Sequence, residues 1–213
     1  MRALLIQLVA CAMTCTAAWA DGEKAGAFDY YVLSLSWTPT WCATTGDARE
    51  APECEDTADA GWTLHGLWPQ YHRGWPSFCP TAQRPPSRAM TDAMTDIMGS
   101  GGLAWYQWKK HGRCTGLSAP AYYALSREAY GRIARPDVFA KLTRPVTLPA
   151  RVVEAAFLKA NPSLKPDMVT ITCRAGRIAE ARICLSRGLD PVPCGQDAVR
   201  DCRMTDALLD PVR

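Results

Sequence analysis

"WTLHGLWPQ" occupies residues 62–70. Trp62, Leu64, Leu67 and Trp68 make it apolar and aromatic, and it reads as a short strand ended by Pro69. His65 lies in the middle of it, and Gly66 leaves space beside the ring. A lone histidine among aromatics is ordinarily a packing residue. His65 gains a chemical reading only if a second histidine can partner it, and the chain has two others, His72 and His111.

On the N-terminal side, "FDYYVLSLSW" (28–37) is rich in aromatic and β-branched residues with partial alternation, which predicts a strand. Residues 38–61 read as a loop holding two cysteines, and the Gly- and Pro-dense 71–87 as a surface loop. Over 87–99, Met90, Met94 and Met98 recur at helical spacing and predict one core-facing helical face. Helices are expected over 103–111, stopped by Gly112, and over 119–133, 136–142 and 149–160. "MVTITC" (168–173) and "IAEARICLS" (178–186) alternate like strands, and "RAGR" between them predicts a hairpin. Strands at both ends with helices between them predict one α+β domain.

The first twenty residues, "MRALLIQLVACAMTCTAAWA", have a basic start, an apolar run and Ala18-Trp19-Ala20. That is the pattern of a secretory signal cleaved before Asp21, leaving a domain over 21–213 exported to periplasm or medium. No other stretch is apolar enough to span a bilayer, so no membrane anchor is expected after cleavage. Of the ten cysteines, Cys11 and Cys15 would leave with the signal. The eight that remain, Cys42, Cys54, Cys79, Cys114, Cys173, Cys184, Cys194 and Cys202, predict four disulfides in an oxidising compartment. Counting leaves their pairing open. No CxxC pair or finger-like Cys–His spacing points to zinc. Loss of Arg2 lowers the formal net charge of +3 by one, too little for binding nucleic acid by bulk charge.

The partner for His65 is His111, in "YQWKKHGRC" (106–114). On a helix, Gln107, Lys110 and His111 project from one face. An amide, an ammonium and an imidazole together suit an anion. Two histidines suit a reaction in which one proton leaves as another arrives. A lysine beside them can stabilise charge on a phosphorane. No nucleophile elbow, P-loop or HExxH motif is present. A metal-free site of this kind fits cleavage of a phosphodiester whose own 2′-hydroxyl is the nucleophile.

"WTLHGLWPQ" and "YQWKKHGRC" resemble the two active-site segments of the ribonuclease T2 family. "LSLSWTPTWC", "FCP" and the late run "ITC…ICL…PCG…DC" match it in the same order, and the likeness is greatest to the bacterial exported ribonuclease I type. The resemblance implies a disulfide-stabilised domain with a central, mainly antiparallel sheet flanked by helices. It implies an endoribonuclease, acting as a monomer without cofactor or metal, that cuts RNA through a 2′,3′-cyclic phosphate to a 3′-phosphate. His111 would be the base on the 2′-hydroxyl, His65 the acid on the leaving 5′-oxygen, and Lys110 the stabiliser of the phosphorane. Trp68 would stack the base 5′ to the cut, with Tyr71 and Trp75 as helpers. The implied disulfides are Cys42–Cys54, Cys79–Cys114, Cys173–Cys202 and Cys184–Cys194. Two positions depart from the family's His-Glu-Trp: Tyr106 replaces the phosphate-holding histidine and Gln107 the glutamate. These departures leave a catalytically weakened RNA- or protein-binding member of the fold as the alternative. A metal-dependent nuclease built on His65, His72 and His111 is a more distant one, with His72 otherwise a loop residue.

Overall fold

A computed structural model of the chain describes residues 23–55 and 58–213. The signal expected over 1–20 lies outside them. Strand β1 (Tyr30–Trp37) leads into the short helix α1 (Thr38–Trp41) and a series of tight helical turns reaching Cys54. Strand β2 is Trp62–Gln70, followed by α2 (Arg88–Asp92), α3 (Thr95–Met98), α4 (Gly101–Lys110) and α5 (Ala119–Arg132). Then come β3 (Val146–Leu148), α6 (Ala150–Ala160), β4 (Val169–Arg174), β5 (Arg177–Leu185) and β6 (Ala207–Leu209).

The six strands form one sheet in the order β2-β1-β5-β6-β3, with β4 also on β5. All pairings are antiparallel except a single parallel bridge, Arg177 to Leu208. Alternate residues of β1 (Tyr31, Leu33, Leu35 and Trp37) face the helices and are buried. Trp62, Leu64 and Leu67 of β2 join them, with Ala104 and Trp108 of α4, Tyr122 of α5 and Phe157 of α6. On the other face, Tyr30, Val32, Cys184 and Ala198 form a smaller cluster against which Trp68 packs. The domain is thus α+β, with a mainly antiparallel sheet and helices on one side.

Several local expectations give way to tertiary context. The 87–99 helix breaks at Ala93–Met94 into α2 and α3, so Met94 and Met98 are buried but Met90 is exposed. Residues 136–142 form turns rather than a helix. Pro69 does not end β2, since it pairs with Tyr31, and the strand runs on to Gln70. A proline is tolerated there because β2 is the edge of the sheet. Gly112 follows α4 at a close approach, where a Cβ would lie 2.5 Å from the Trp108 ring. The β4–β5 hairpin turns through Ala175 and Gly176, both left-handed, as a tight two-residue hairpin requires.

Four disulfides are present: Cys42–Cys54, Cys79–Cys114, Cys173–Cys202 and Cys184–Cys194. Cys79–Cys114 joins the loop after β2 to the turn after α4, closing a separation of 35 residues. Loop-closure entropy for that span is worth about 4 kcal/mol against the unfolded chain. Replacing both cysteines with serine is therefore expected to lower unfolding stability by up to about this amount, measured by urea denaturation.

Candidate active site

The register of β2 on β1 slips by one residue at His65. Ser34 pairs with Gly66 and Leu35 with Leu64, so His65 is the unpaired residue of a β-bulge. The bulge shifts the inward apolar positions from Trp62 and Leu64 to Leu67 and re-aims the residue between them. His65 Nδ1 lies 2.5 Å from Oε1 of Glu180 on β5. The other carboxylate oxygen of Glu180 accepts from Arg182 Nη2 at 2.6 Å and Nε at 3.0 Å. Small side chains flank this pair on the neighbouring strands: Ser36 and Thr172 beside Glu180, Ser34 and Thr170 beside Arg182. With Nδ1 engaged, Nε2 is the ring nitrogen of His65 left for a substrate.

His111 closes α4, its backbone N–H donating to Gln107 O at 2.9 Å. It is only 5% exposed, and its Nδ1 is buried without a hydrogen-bond partner among the described residues. Burial pushes its pKa down to about 3, helped by the charges of Lys110 and His65. His111 is therefore neutral near pH 7, as a proton acceptor must be. At Glu180 burial pushes the pKa up, but the hydrogen bond and charge of His65 and those of Arg182 outweigh it and hold it at about 2.

Trp68 packs against both imidazoles. Its ring lies 5.2 Å from each centroid, edge-on to His65 and near-parallel to His111. The Trp68 indole N–H donates to Gln107 Oε1 at 2.7 Å. An indole can only donate, so the Gln107 oxygen must face it and the amide N–H₂ points elsewhere. Gln107 is 2% exposed, and among the described residues Trp68 is its one side-chain hydrogen-bond partner. This contact needs Gly66: a Cβ there would lie 2.3 Å from Gln107 Oε1 and 2.4 Å from Trp68 Nε1.

A cleft of about 320 Å³ gathers His65, Trp68, Tyr106, Gln107, Lys110 and His111, together with Trp75 and Arg182. Seven of the residues singled out in the sequence as catalytic or substrate-binding thus share one cavity. Tyr71 does not line it and packs at the edge of the main core. His72 also stands apart, its backbone N–H on Asp29 and its ring over Tyr30. No three-histidine metal group forms among the described residues. The one cluster there with metal-ligand geometry contains Cys42 and Cys54, which are bonded to each other. Glu180 and Arg182 escaped the sequence reading, since in "IAEARICLS" they look like ordinary polar positions of an alternating strand. Their signal, an acid and a base two apart on one face, becomes informative only once β5 is known to lie across β1 from His65.

Both shifted groups make the fold acid-sensitive. The unfolded chain protonates His111 near pH 6.5, but the folded chain does so only near 3. For Glu180 the corresponding values are 4.5 and about 2. In each window the unfolded state binds more protons, so stability falls as pH falls. Urea midpoints measured from pH 7 to pH 4 are expected to drop, and to drop less steeply in His111→Gln.

The profile of the ribonuclease T2 family matches residues 28–194. A ribonuclease of Aeromonas hydrophila is 34% identical over 210 residues, covering 93% of this chain and 92% of that protein. Ribonuclease I of Escherichia coli is 28% identical over 195 residues, covering 72% and 73%. Among solved structures, trichomaglin, described as an S-like ribonuclease, superposes with a TM-score of 0.68 at 17% identity, covering 88% of this chain and all of that one. The self-incompatibility associated SF11-RNase of Nicotiana alata gives 0.63 at 20% identity, covering 86% and 100%. The match spans both histidine segments, on β2 and at the end of α4, and the chain belongs to the ribonuclease T2 family.

Proposed function

We propose that the protein is a metal-independent endoribonuclease that cleaves RNA by transphosphorylation, with His111 and His65 as the proton-transfer pair. The observation that carries this is two imidazoles in one cleft, each packed against the same indole and held in different environments. His111 is buried and neutral. His65 is partly exposed and bound through Nδ1 to a carboxylate. In the first step, neutral His111 takes the proton of the 2′-hydroxyl. The 2′-oxygen attacks phosphorus, and protonated His65 gives its proton to the departing 5′-oxygen, leaving a 2′,3′-cyclic phosphate. In the second step, His65 takes a proton from water, the hydroxide opens the ring, and His111 returns its proton to the 2′-oxygen, giving a 3′-phosphate. The phosphodiester anion offsets the charge of Lys110 and so strengthens His111 as a base when substrate binds.

Lys110 and the Gln107 N–H₂ supply cation and donor to the non-bridging oxygens. Trp68, with Trp75 and Tyr106 at the rim, supplies aromatic surface for the base 5′ to the cut. Glu180 fixes the tautomer of His65 and balances its charge, as a carboxylate behind a catalytic histidine does. Four disulfides and the N-terminal pattern fit export to periplasm or medium.

A 2′-deoxy substitution at a single linkage is expected to abolish cutting there, with EDTA present throughout, as read from product termini. His65→Ala and His111→Ala are each expected to lose ~10²–10⁴-fold in kcat/KM on RNA. The double variant should lose much less than the product of the two. Cleavage at the deoxy linkage would overturn the mechanism.

Gln107 yields a second expectation. Its amide donates at every pH, whereas a glutamate donates only while protonated and becomes a repelling anion as pH rises. On a dinucleotide, Gln107→Glu is expected to move the alkaline limb of the kcat/KM profile to lower pH. Superimposable profiles would mean that Gln107 does not donate to the phosphate.

A further inference from the structure

Among the described residues, four large aromatic side chains stand exposed, Trp75, Phe78, Trp105 and Tyr106, each 44–46%. Trp75 and Tyr106 line the mouth of the catalytic cleft. Phe78 meets Tyr106 edge-on at 6.5 Å. Trp105, the next residue along α4, carries Lys109 over its ring at 5.3 Å. A second pocket of about 320 Å³ opens beside Trp105, floored by Trp108 and bounded by Lys109, Arg113 and the 81–85 loop. No carboxylate lines it, and among the described residues the buried Nε of Arg113 has no hydrogen-bond partner.

The backbone holds part of this surface at a cost. Phe78 has φ +54°, a left-handed conformation that a bulky side chain rarely adopts. It is kept there by its N–H on Lys110 O at 2.8 Å and by the neighbouring Cys79–Cys114 disulfide. Strain retained while a ring is presented to solvent points to a use for that ring.

We infer that this aromatic and basic strip binds the single-stranded RNA that leaves the catalytic cleft, taking a further base in the Trp105 pocket with Lys109 and Arg113 on the adjoining phosphates. The inference rests on the endoribonuclease reading above for the identity of the strand. Aromatic faces spaced along a positively charged path are what sequence-tolerant binding of single strands requires, since every base has a face to stack. Tyr106 at the cleft mouth is the chain neighbour of Trp105 on α4, and no carboxylate lines the Trp105 pocket, so the surface suits a polyanion better than an apolar partner.

The test uses the full chain and two substrates: an RNA dinucleotide, and a 12-nucleotide strand with one ribose at the cleavable linkage and deoxyribose elsewhere. Trp105→Ala, a helix-compatible change outside the cleft, is expected to lower kcat/KM on the 12-mer about 10-fold and leave the dinucleotide value unchanged. Lys109→Gln should cost less and flatten the salt dependence on the 12-mer. Equal effects on both substrates, or none on either, would overturn the inference and leave the strip to a protein or membrane surface. Equilibrium binding of an all-deoxy 12-mer needs no catalysis. A roughly 10-fold weaker Kd in Trp105→Ala supports the strip even if the dinucleotide is not cut, an outcome that would count against the catalytic reading alone; an unchanged Kd overturns it.

Discussion

The bond from the Trp68 indole to the Gln107 amide sets the geometry on which the cleft depends. His65 comes from a strand and His111 from the end of a helix, so nothing in the secondary structure alone fixes their separation. The indole packs against both rings and its N–H ties β2 to α4. Gly66 makes the approach possible, and the Cys79–Cys114 link holds the following loop to the same end of α4. The two histidines are thus held by parts that are themselves fixed.

The two imidazoles share a cleft but not an environment. One is buried at a helix end beside a lysine, and loses its proton readily. The other is anchored to a carboxylate that an arginine keeps ionised. Two chemically identical side chains are thereby made unlike, which a reaction needing one acid and one base demands. Gln107 suits this arrangement, because its amide takes the Trp68 indole N–H in the cleft without adding a second anion.

Much of this was legible in the residues. The strand β1, the helical stretches of α5 and α6 and the β4–β5 hairpin follow from local pattern, because β-branched and aromatic runs, helical spacing and turn residues are signals carried by neighbouring residues. The two histidine segments were legible because Gln107, Lys110 and His111 fall on one helical face. The misses share one cause, tertiary contacts that local pattern does not encode. Met90 is exposed because the chain turns between α2 and α3 to reach α4. Residues 136–142 stay as turns, with Phe139 packed edge-on against both Trp37 and Trp62. Glu180 was invisible because its partner lies 115 residues away, two strands across the sheet. The bulge left a faint trace: the inward positions step by two from Trp62 to Leu64 and then by three to Leu67.

That irregular strand is also the border of the sheet. An edge strand normally offers a row of free amide and carbonyl groups, a template on which another chain can add itself. On β2, the bulge at His65 breaks the row, Pro69 has no N–H to offer, and the Pro69 carbonyl accepts from the Gln70 side chain at 3.0 Å. The distortion that swings His65 onto Glu180 thus also denies a foreign strand its footing, and one irregularity in the ladder both re-aims a side chain and closes an edge.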